Sequence, residues 1–230
     1  MIKNIFFIMF VIMMFFSFIN ASEKKQKTEI TGDKMILKDK GQIAYFKGHA
    51  NVMRGNYNIT SNEMTYYRKT DDVDAKGNVN FIVKNEDGSV IKAKAANATY
   101  NTKLFNGKMW GNTPIVEYEL KNSSDTIFLY MDTLYLSNNF ESVKAVDNVK
   151  IISSSGTITA DNALLKKEDN SLYMEKDKNK PQVNVWQEDK KAEFKADEIS
   201  LLYDEKTVKM NKNVEGKIIF ESLDNLEVKQ

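Results

Sequence analysis

The sequence predicts an all-β fold, an elongated jelly roll built from about six repeats. The first observation is an eight-residue pattern: apolar, any, small, Asp or Asn, any, apolar, any, aromatic or Leu. Its copies start 29 to 36 residues apart, at Ile30, Ile59, Ala93, Leu129, Ile158 and Phe194. Such a period indicates one supersecondary unit stacked along an axis, because a single unit cannot bury its apolar face alone.

The second observation is another recurring strand pattern that follows each copy and often contains Gly-Asn. It is clearest at 44–52, 74–81, 143–151 and 208–216. Apolar and polar residues alternate there, which is typical of a strand with one buried and one solvated face. In the third and fifth copies this pattern is degenerate and runs into Pro114 and Pro181. Proline favours an edge, a turn or the start of a strand at these points.

The third observation is a change of parity inside the first pattern, at the small residue and the residue after it. The second of these two positions is occupied by Asp33, Asn62, Ala96, Asp161 and Asp197 in the copies that show the pattern best. A bulge or corner shifts parity in this way, and Asp and Asn favour bends by bonding their own backbone. Corners stacked in register predict a folded sheet with a slot inside it.

Composition limits the function classes. The chain has 230 residues, 42% of them hydrophobic, enough for one sizeable domain or an elongated array. The net charge is +1, so the electrostatic case for nucleic acid is weak. The absence of cysteine excludes disulfides, thiolate metal sites and Cys nucleophiles.

The N-terminus predicts export. Lys3 precedes an apolar run from Ile5 to Ile19, and Ala21 offers a small residue for cleavage. We therefore expect a signal peptide over residues 1–21, with an uncleaved membrane anchor as the alternative. The expected organisation continues with a linker at 22–28, the β-domain at 29–222 and a tail at 223–230.

Catalytic chemistry is not evident in the sequence. His49 is the only histidine and falls on a polar strand face, and no glycine-rich phosphate loop precedes a helix. The recurring acids Asp33, Asp132, Asp161 and Asp197 suit turns better than calcium binding or catalysis. We expect no enzyme activity, no metal and no cofactor. Trp110 and Trp186 lie in the degenerate copies, where they either cap or flank the slot.

The order and spacing of these motifs resemble the OstA-like domain, the LptA family of lipopolysaccharide-transport proteins. The resemblance is close over residues 29–83 and looser over 127–220. It rests on the segments Ile30-Thr31-Gly32-Asp33, Ala44 to Val52, Ile59-Thr60-Ser61-Asn62, Tyr66-Tyr67 and Asp74 to Val79. It implies a twisted β-jelly roll with a V-shaped pair of antiparallel sheets, in the periplasm. It also implies an apolar trough that carries lipopolysaccharide acyl chains from the inner to the outer membrane.

The same resemblance implies end-to-end stacking by strand addition, with further copies of the chain and with LptC-like and LptD-like proteins as partners. Lys47 and Lys76 are candidates to meet lipid A phosphates at the rim. Strand parity predicts the lipid-binding residues of the trough: Ile30, Met35, Phe46, Ala50, Val52, Ile59, Met64, Val79, Phe81, Val149, Ile151, Ile158 and Ala163.

Three alternatives stay open at this point. One is an LptC-like adaptor of the lipopolysaccharide exporter, held in the inner membrane by residues 1–20. Another is a polysaccharide-acting enzyme on a β-solenoid, which would need a cluster of acids on one stacked face. The last is a structural interaction module whose interior is filled by its own side chains.

Overall fold

A computed structural model describes residues 27–84, 88–119, 126–137, 142–166, 168, 171–187, 190–202 and 207–220. The predicted signal peptide and tail, and most of the predicted linker, lie outside these residues. Within the described ranges, no helix has the length and apolarity needed to cross a membrane.

The described residues form strands almost throughout, with one 3₁₀ turn at Asp39–Gly41. The strands are β1 (Glu29–Thr31), β2 (Lys34–Lys38), β3 (Ile43–Arg54), β4 (Tyr57–Tyr67), β5 (Asp72–Lys84), β6 (Val90–Asn101), β7 (Asn106–Trp110), β8 (Ile115–Glu119), β9 (Thr126–Tyr130), β10 (Thr133–Ser137), β11 (Ser142–Ser153), β12 (Gly156–Lys166), β13 (Ser171–Glu175), β14 (Gln182–Gln187), β15 (Lys190–Lys195), β16 (Glu198–Leu202), β17 (Thr207–Asn211) and β18 (Glu215–Phe220). The all-β prediction is confirmed.

The strands form two antiparallel sheets that share their long members. Sheet I runs in the order β2, β3, β4, β5, β6, β7, β10, β11, β12, β13, β16, β17. Sheet II runs in the order β1, β3, β4, β5, β6, β8, β9, β11, β12, β14, β15, β18. Each of the six sequence repeats therefore supplies two successive levels of both sheets. The antiparallel registers rule out the parallel β-solenoid for this part of the chain.

Each level bends once, where it passes from one sheet to the other. In the long strands the bend is a register shift, between Lys47 and Ala50 in β3 and between Val146 and Val149 in β11. Other levels break into two strands at the same place, as β7 and β8 do before Pro114. The predicted bulge is confirmed, and the bends stack into one corner that runs along the molecule.

The chemistry of the corner differs from the prediction. The recurring acid or amide of the first pattern bonds a residue of the next level rather than its own backbone. In four of the repeats the partner lies 16 positions later: Asp33 bonds His49 at 2.8 Å, Asn62 bonds Asn78 at 3.4 Å, Asp132 bonds Asn148 at 2.8 Å and Asp197 bonds Asn213 at 2.6 Å. These bonds tie the two strands of one repeat together. In the third repeat Ala96 has no side-chain acceptor, and only its N–H bonds the carbonyl of Gly111, at 3.0 Å.

Candidate functional site

The inner faces of the two sheets, which face each other on one side of the corner, carry apolar side chains at every level. Directly opposed residues of antiparallel strands share a face, so cross-strand partners trace a row from one end to the other. In sheet II one such row is Ile30, Val52, Ile59, Phe81, Ala93, Val116, Leu129, Ile151, Ile158, Val183, Phe194 and Gly216. No charged or amide side chain interrupts it.

Sheet I carries two matching rows. One spans all its levels: Leu37, Ala44, Tyr66, Val73, Tyr100, Gly107, Leu136, Val143, Leu165, Leu172, Leu201 and Val208. The other contains Met35, Phe46, Met64, Ala75, Ala98, Met109, Leu134, Ala145 and Ala163. The space between these inner faces is the trough that the sequence predicted.

The structure places the predicted trough residues on the inner faces, with two of them differing in exposure. Eleven are buried: Phe46, Ala50, Val52, Ile59, Met64, Val79, Phe81, Val149, Ile151, Ile158 and Ala163. Ile30 is partly buried against them. Met35 is 56% exposed. It faces the same side as Phe46, but β2 is the outermost strand and no further level covers it.

The trough is more closed than expected. Close packing of the two inner faces leaves Val52, Met64 and Val79 at most 1% exposed. Side chains of this size reach across the gap, so at the N-terminal levels the protein fills its own interior. Sequence parity indicates which face a residue occupies, but it does not fix the distance between two sheets.

A cavity of about 80 Å³ remains in the middle levels. Its lining is entirely apolar: Phe81, Val83, Ile91, Ala93, Met109, Val116, Ile127, Leu129, Leu134, Leu136, Val143, Ala145, Ile151, Ala163, Leu165 and Leu172. Three of its wall positions are alanines, Ala93, Ala145 and Ala163, and their small side chains leave the space open. An apolar cavity offers water no hydrogen-bond partners and favours hydrocarbon.

Most cavity residues were missed from the sequence, since only Phe81, Ile151 and Ala163 had been predicted. Six of the other thirteen lie in the split levels β7 to β10, where Gly111 and Pro114 interrupt the pattern. Cross-strand register gives the signal that was lacking: Val116 is opposite Ala93 and Leu129 is opposite Val116.

The inner faces reach the solvent at both ends of the array. At the N-terminal end Leu37 is 58% exposed, and at the C-terminal end Ile218 is 49% exposed. Ile218 lies opposite Ala192 and so continues the inner face. The trough is thus flanked by apolar residues at two ends where no strand of the described chain pairs further.

An aromatic group closes the side of the trough that is remote from the corner. Tyr57 of sheet II has its ring centroid 5.9 Å from that of Tyr100 of sheet I, and 6.2 Å from that of Phe81. Burial raises the pKa of both Tyr57 and Tyr100, and the nearby Arg54 charge acts in the opposite direction. Both phenols therefore stay protonated at neutral pH.

Polar residues singled out in the sequence lie outside the trough. His49 is an exposed corner residue, as predicted. Lys47 and Lys76 lie on the outer face beside Glu63, so their predicted place at the rim is wrong. Trp110 and Trp186 also face outward, where Trp186 donates its indole N–H to the Ser154 carbonyl at 2.7 Å. Among the described residues, no group of three or more His, Asp or Glu side chains is arranged to hold a metal ion.

The fold and this site define a class of protein: a two-sheet β-jelly roll with a continuous apolar interior. Residues 29–135 match the family model "LptA/(LptD N-terminal domain) LPS transport protein". This match confirms the resemblance inferred from the sequence. The repeats beyond residue 135 keep the same two-level geometry through residue 220.

The chain was also compared with curated proteins and with solved structures. No curated protein matches the chain. A solved structure that it resembles is LptH, the LptA homologous periplasmic component of the conserved lipopolysaccharide transport device from Pseudomonas aeruginosa. The two are 14% identical with a TM-score of 0.35, and the match covers 73% of this chain and 99% of LptH.

Proposed function

We propose that this protein transports lipopolysaccharide in the periplasm, with acyl chains held between the inner faces of sheets I and II. The observation that carries the proposal is the predominantly apolar trough, which runs through every level and keeps a cavity lined by apolar side chains alone. The family match of residues 29–135 supports the same conclusion.

Binding in this proposal is driven by apolar burial, about 0.8 kcal/mol for each CH₂ removed from water. The predicted trough residues and the cavity lining share that contribution. An acyl chain longer than the cavity requires the sheets to separate, because the interior is closed on either side of it. The protein then works by holding and releasing lipid, without catalysis and without a cofactor.

The ends of the array are proposed to join it to other proteins. The outer edges of β1 and β2, and those of β17 and β18, bear backbone N–H and C=O groups without a strand partner in the described chain. Strand addition would satisfy these groups, and joining one end to the opposite end would repeat without closing. A second copy, or LptC-like and LptD-like proteins, would then extend the trough.

Site-specific photo-crosslinking tests acyl binding directly. A benzophenone side chain at Phe81 lines the cavity, whereas the same group at Ile82 points to the outer face one residue later. We expect lipopolysaccharide to be captured from Phe81 in the cell envelope and not from Ile82. Equal capture at the two positions would contradict the proposal. The mass of the exported protein tests its location, since loss of residues 1–21 indicates a free periplasmic form.

A further inference from the structure

Arg54 links the two sheets across the side of the trough that is remote from the corner. It ends β3 in sheet II, and its Nη1 donates a hydrogen bond to the carbonyl of Thr102 in the β6–β7 turn of sheet I. Its guanidinium also lies 4.7 Å from the ring centroid of Phe105 in the same turn. One side chain therefore holds two elements that belong to different sheets.

The β6–β7 turn, which accepts the hydrogen bond from Arg54, is itself held by further hydrogen bonds. The Thr102 N–H and hydroxyl both donate to the Asp71 carbonyl, at 2.9 and 3.1 Å. The Asn101 side-chain oxygen accepts from the backbone N–H groups of Lys103 and Leu104, at 3.0 and 2.7 Å. Because the turn is fixed to sheet I in this way, the bond from Arg54 constrains the spacing of the two sheets.

This contact stands at the wall of the cavity. Phe105 packs edge-on against Tyr57, with ring centroids 6.5 Å apart. Tyr57 and Tyr100 in turn pack against Phe81, which lines the cavity. Arg54, Tyr57, Tyr100 and Phe105 thus form a clasp that separates the cavity from the tightly packed N-terminal levels.

The charge of Arg54 is incompletely satisfied in the clasp. Its partners are the neutral Thr102 carbonyl, the Phe105 ring face and the nearby Tyr57 phenol, and none of the ion pairs formed among the described residues includes it. Its Nε is buried without an acceptor in that part of the chain. A guanidinium binds an anionic oxygen more strongly than a neutral carbonyl, and it prefers to bind with two donors.

We propose that the Arg54 clasp is a gate, which an anionic amphiphile opens by drawing the guanidinium from the Thr102 carbonyl onto its own phosphate or carboxylate. This inference rests on the proposed function, since it concerns how acyl chains pass from the cavity toward the N-terminal levels. Release of Thr102 removes the link between the sheets, so the anionic group both opens the passage and is held at its edge.

The distance across the clasp can be measured by electron paramagnetic resonance. The chain has no cysteine, so Asn56→Cys and Lys103→Cys provide two unique labelling sites on exposed turns of opposite sheets. Dodecyl phosphate is the anionic probe and dodecyl maltoside the uncharged one, both below the concentrations at which they form micelles. We expect dodecyl phosphate to lengthen the distance and dodecyl maltoside to bind without lengthening it.

Variants of Arg54 assign the effect. Arg54→Met should lengthen the distance without any ligand and weaken dodecyl phosphate binding by about tenfold, the value of one charge-assisted hydrogen bond. Arg54→Lys keeps the charge but loses the planar stack on Phe105, so it should give a broader distance distribution and retain part of the affinity. Arg68→Met, at the other arginine of the chain, is the matched control and should behave as the wild type.

The outcomes distinguish a failure of the gate proposal from a failure of the proposed lipid-binding function. Binding of both amphiphiles with an unchanged distance, or a folded Arg54→Met that matches the wild type, overturns the gate and leaves acyl binding in place. Failure of both amphiphiles to bind overturns the gate and the proposed function together.

Discussion

Asn148 donates a hydrogen bond of 2.8 Å from its Nδ2 to Oδ2 of Asp132, across the corner of the fourth repeat. The backbone supports the same junction, because the Asp132 N–H donates to the carbonyl of Asp147 at 3.0 Å. Asp147 and Asn148 both have positive φ, 59° and 52°, which lets the strand turn from one sheet into the other. The left-handed backbone conformation of Asp147 and Asn148, together with the Asp132 carboxylate, thus defines the bend.

Replacing Asn148 should separate these two contributions. Asn148→Gly removes the side-chain bond but tolerates positive φ, so we expect a loss of about 0.5–1.5 kcal/mol in the free energy of unfolding. Asn148→Ala also incurs the backbone cost of the left-handed region and should lose about 1 kcal/mol more. Urea denaturation of the two variants checks this, and equal midpoints would show that φ at Asn148 carries no strain.

Gly48 should be sensitive to alanine because of both its conformation and its surroundings. Its φ is +75°, and an added Cβ would collide with the Asp33 carboxylate that bonds His49. Gly41 has a φ of +85° with nothing within 4 Å of such a Cβ, so Gly41→Ala reports backbone strain alone. We expect Gly41→Ala to cost about 1 kcal/mol and Gly48→Ala distinctly more, as measured by thermal unfolding. Similar losses of stability in the two variants would show that the Asp33 side chain moves away from the added Cβ with little loss of free energy.

Asp161 should make stability depend on acid pH. Its carboxylate accepts backbone N–H bonds from Asn179 and Lys178, at 2.6 and 2.7 Å, and these bonds together with the Asn179 side chain lower its pKa below the usual 3.8. A carboxyl whose pKa is lowered by folding stabilises the protein above its unfolded pKa, and this stabilisation is lost as the pH falls through the folded pKa.

Asp161→Asn should therefore be less stable than the wild type at pH 7, and the difference should shrink as the pH falls through the acid range. Denaturant unfolding at a series of pH values measures it. Asp177→Asn, in the exposed loop that also carries Lys178 and Asn179, is the control substitution and is measured at the same pH values. A difference for Asp161→Asn that stays constant with pH would contradict the assignment.

Filling the cavity should block lipid without unfolding the protein. Ala145 and Ala98 lie in the same row of sheet I, but only Ala145 lines the cavity. Ala145→Leu should thus occupy the space, keep stability near that of the wild type and reduce binding of a fluorescent fatty acid. Ala98→Leu has no space to enter and should lose about 1–3 kcal/mol from overpacking. Undiminished binding by Ala145→Leu would place the acyl chain elsewhere.

Charges at the ends should prevent stacking. Leu37→Asp at the N-terminal end and Ile218→Asp at the C-terminal end each put a carboxylate on an inner-face position that a neighbouring copy would cover. Sedimentation velocity should show less self-association for both variants. Leu104, as exposed as Leu37 at 58% but on the β6–β7 turn, supplies the control Leu104→Asp, which should associate normally. Equal loss in all three would indicate nonspecific adhesion.

The repeat pattern was sufficient to predict the fold. The alternation of inward and outward residues depends only on neighbouring positions in a strand, and each repeat shows the same alternation. It placed Phe46 and Ile158 on the inner face, and it located the corner from the shift of parity after Gly32. Met35 lies on the same face as Phe46 but stays exposed, because exposure depends on whether another level lies beyond β2, which parity does not encode. Val116 and Leu129 were not predicted as trough residues because their levels are split into two strands. Only the cross-strand pairing with Ala93 and its neighbours aligns them with the inner face.

The clasp could not be predicted from the sequence, for a different reason. Arg54 and Thr102 are 48 positions apart and belong to different repeats, and the periodic pattern describes neither a strand end nor a turn. Likewise, the bond between Asp132 and Asn148 needs knowledge of which side chains meet across a bend. A recurring Asp or Asn followed 16 positions later by Asn is nevertheless visible in the sequence and can identify such corners elsewhere.

The stacking of levels gives the molecule a fixed length increment. Neighbouring strands lie about 4.8 Å apart, so each repeat, with its two levels, adds roughly 10 Å and the whole array measures on the order of 50 Å from end to end. Because a level is bonded only to its neighbours, duplication or deletion of a whole repeat would change that span in discrete steps. The length of the array is thus set by the number of repeats that the chain contains.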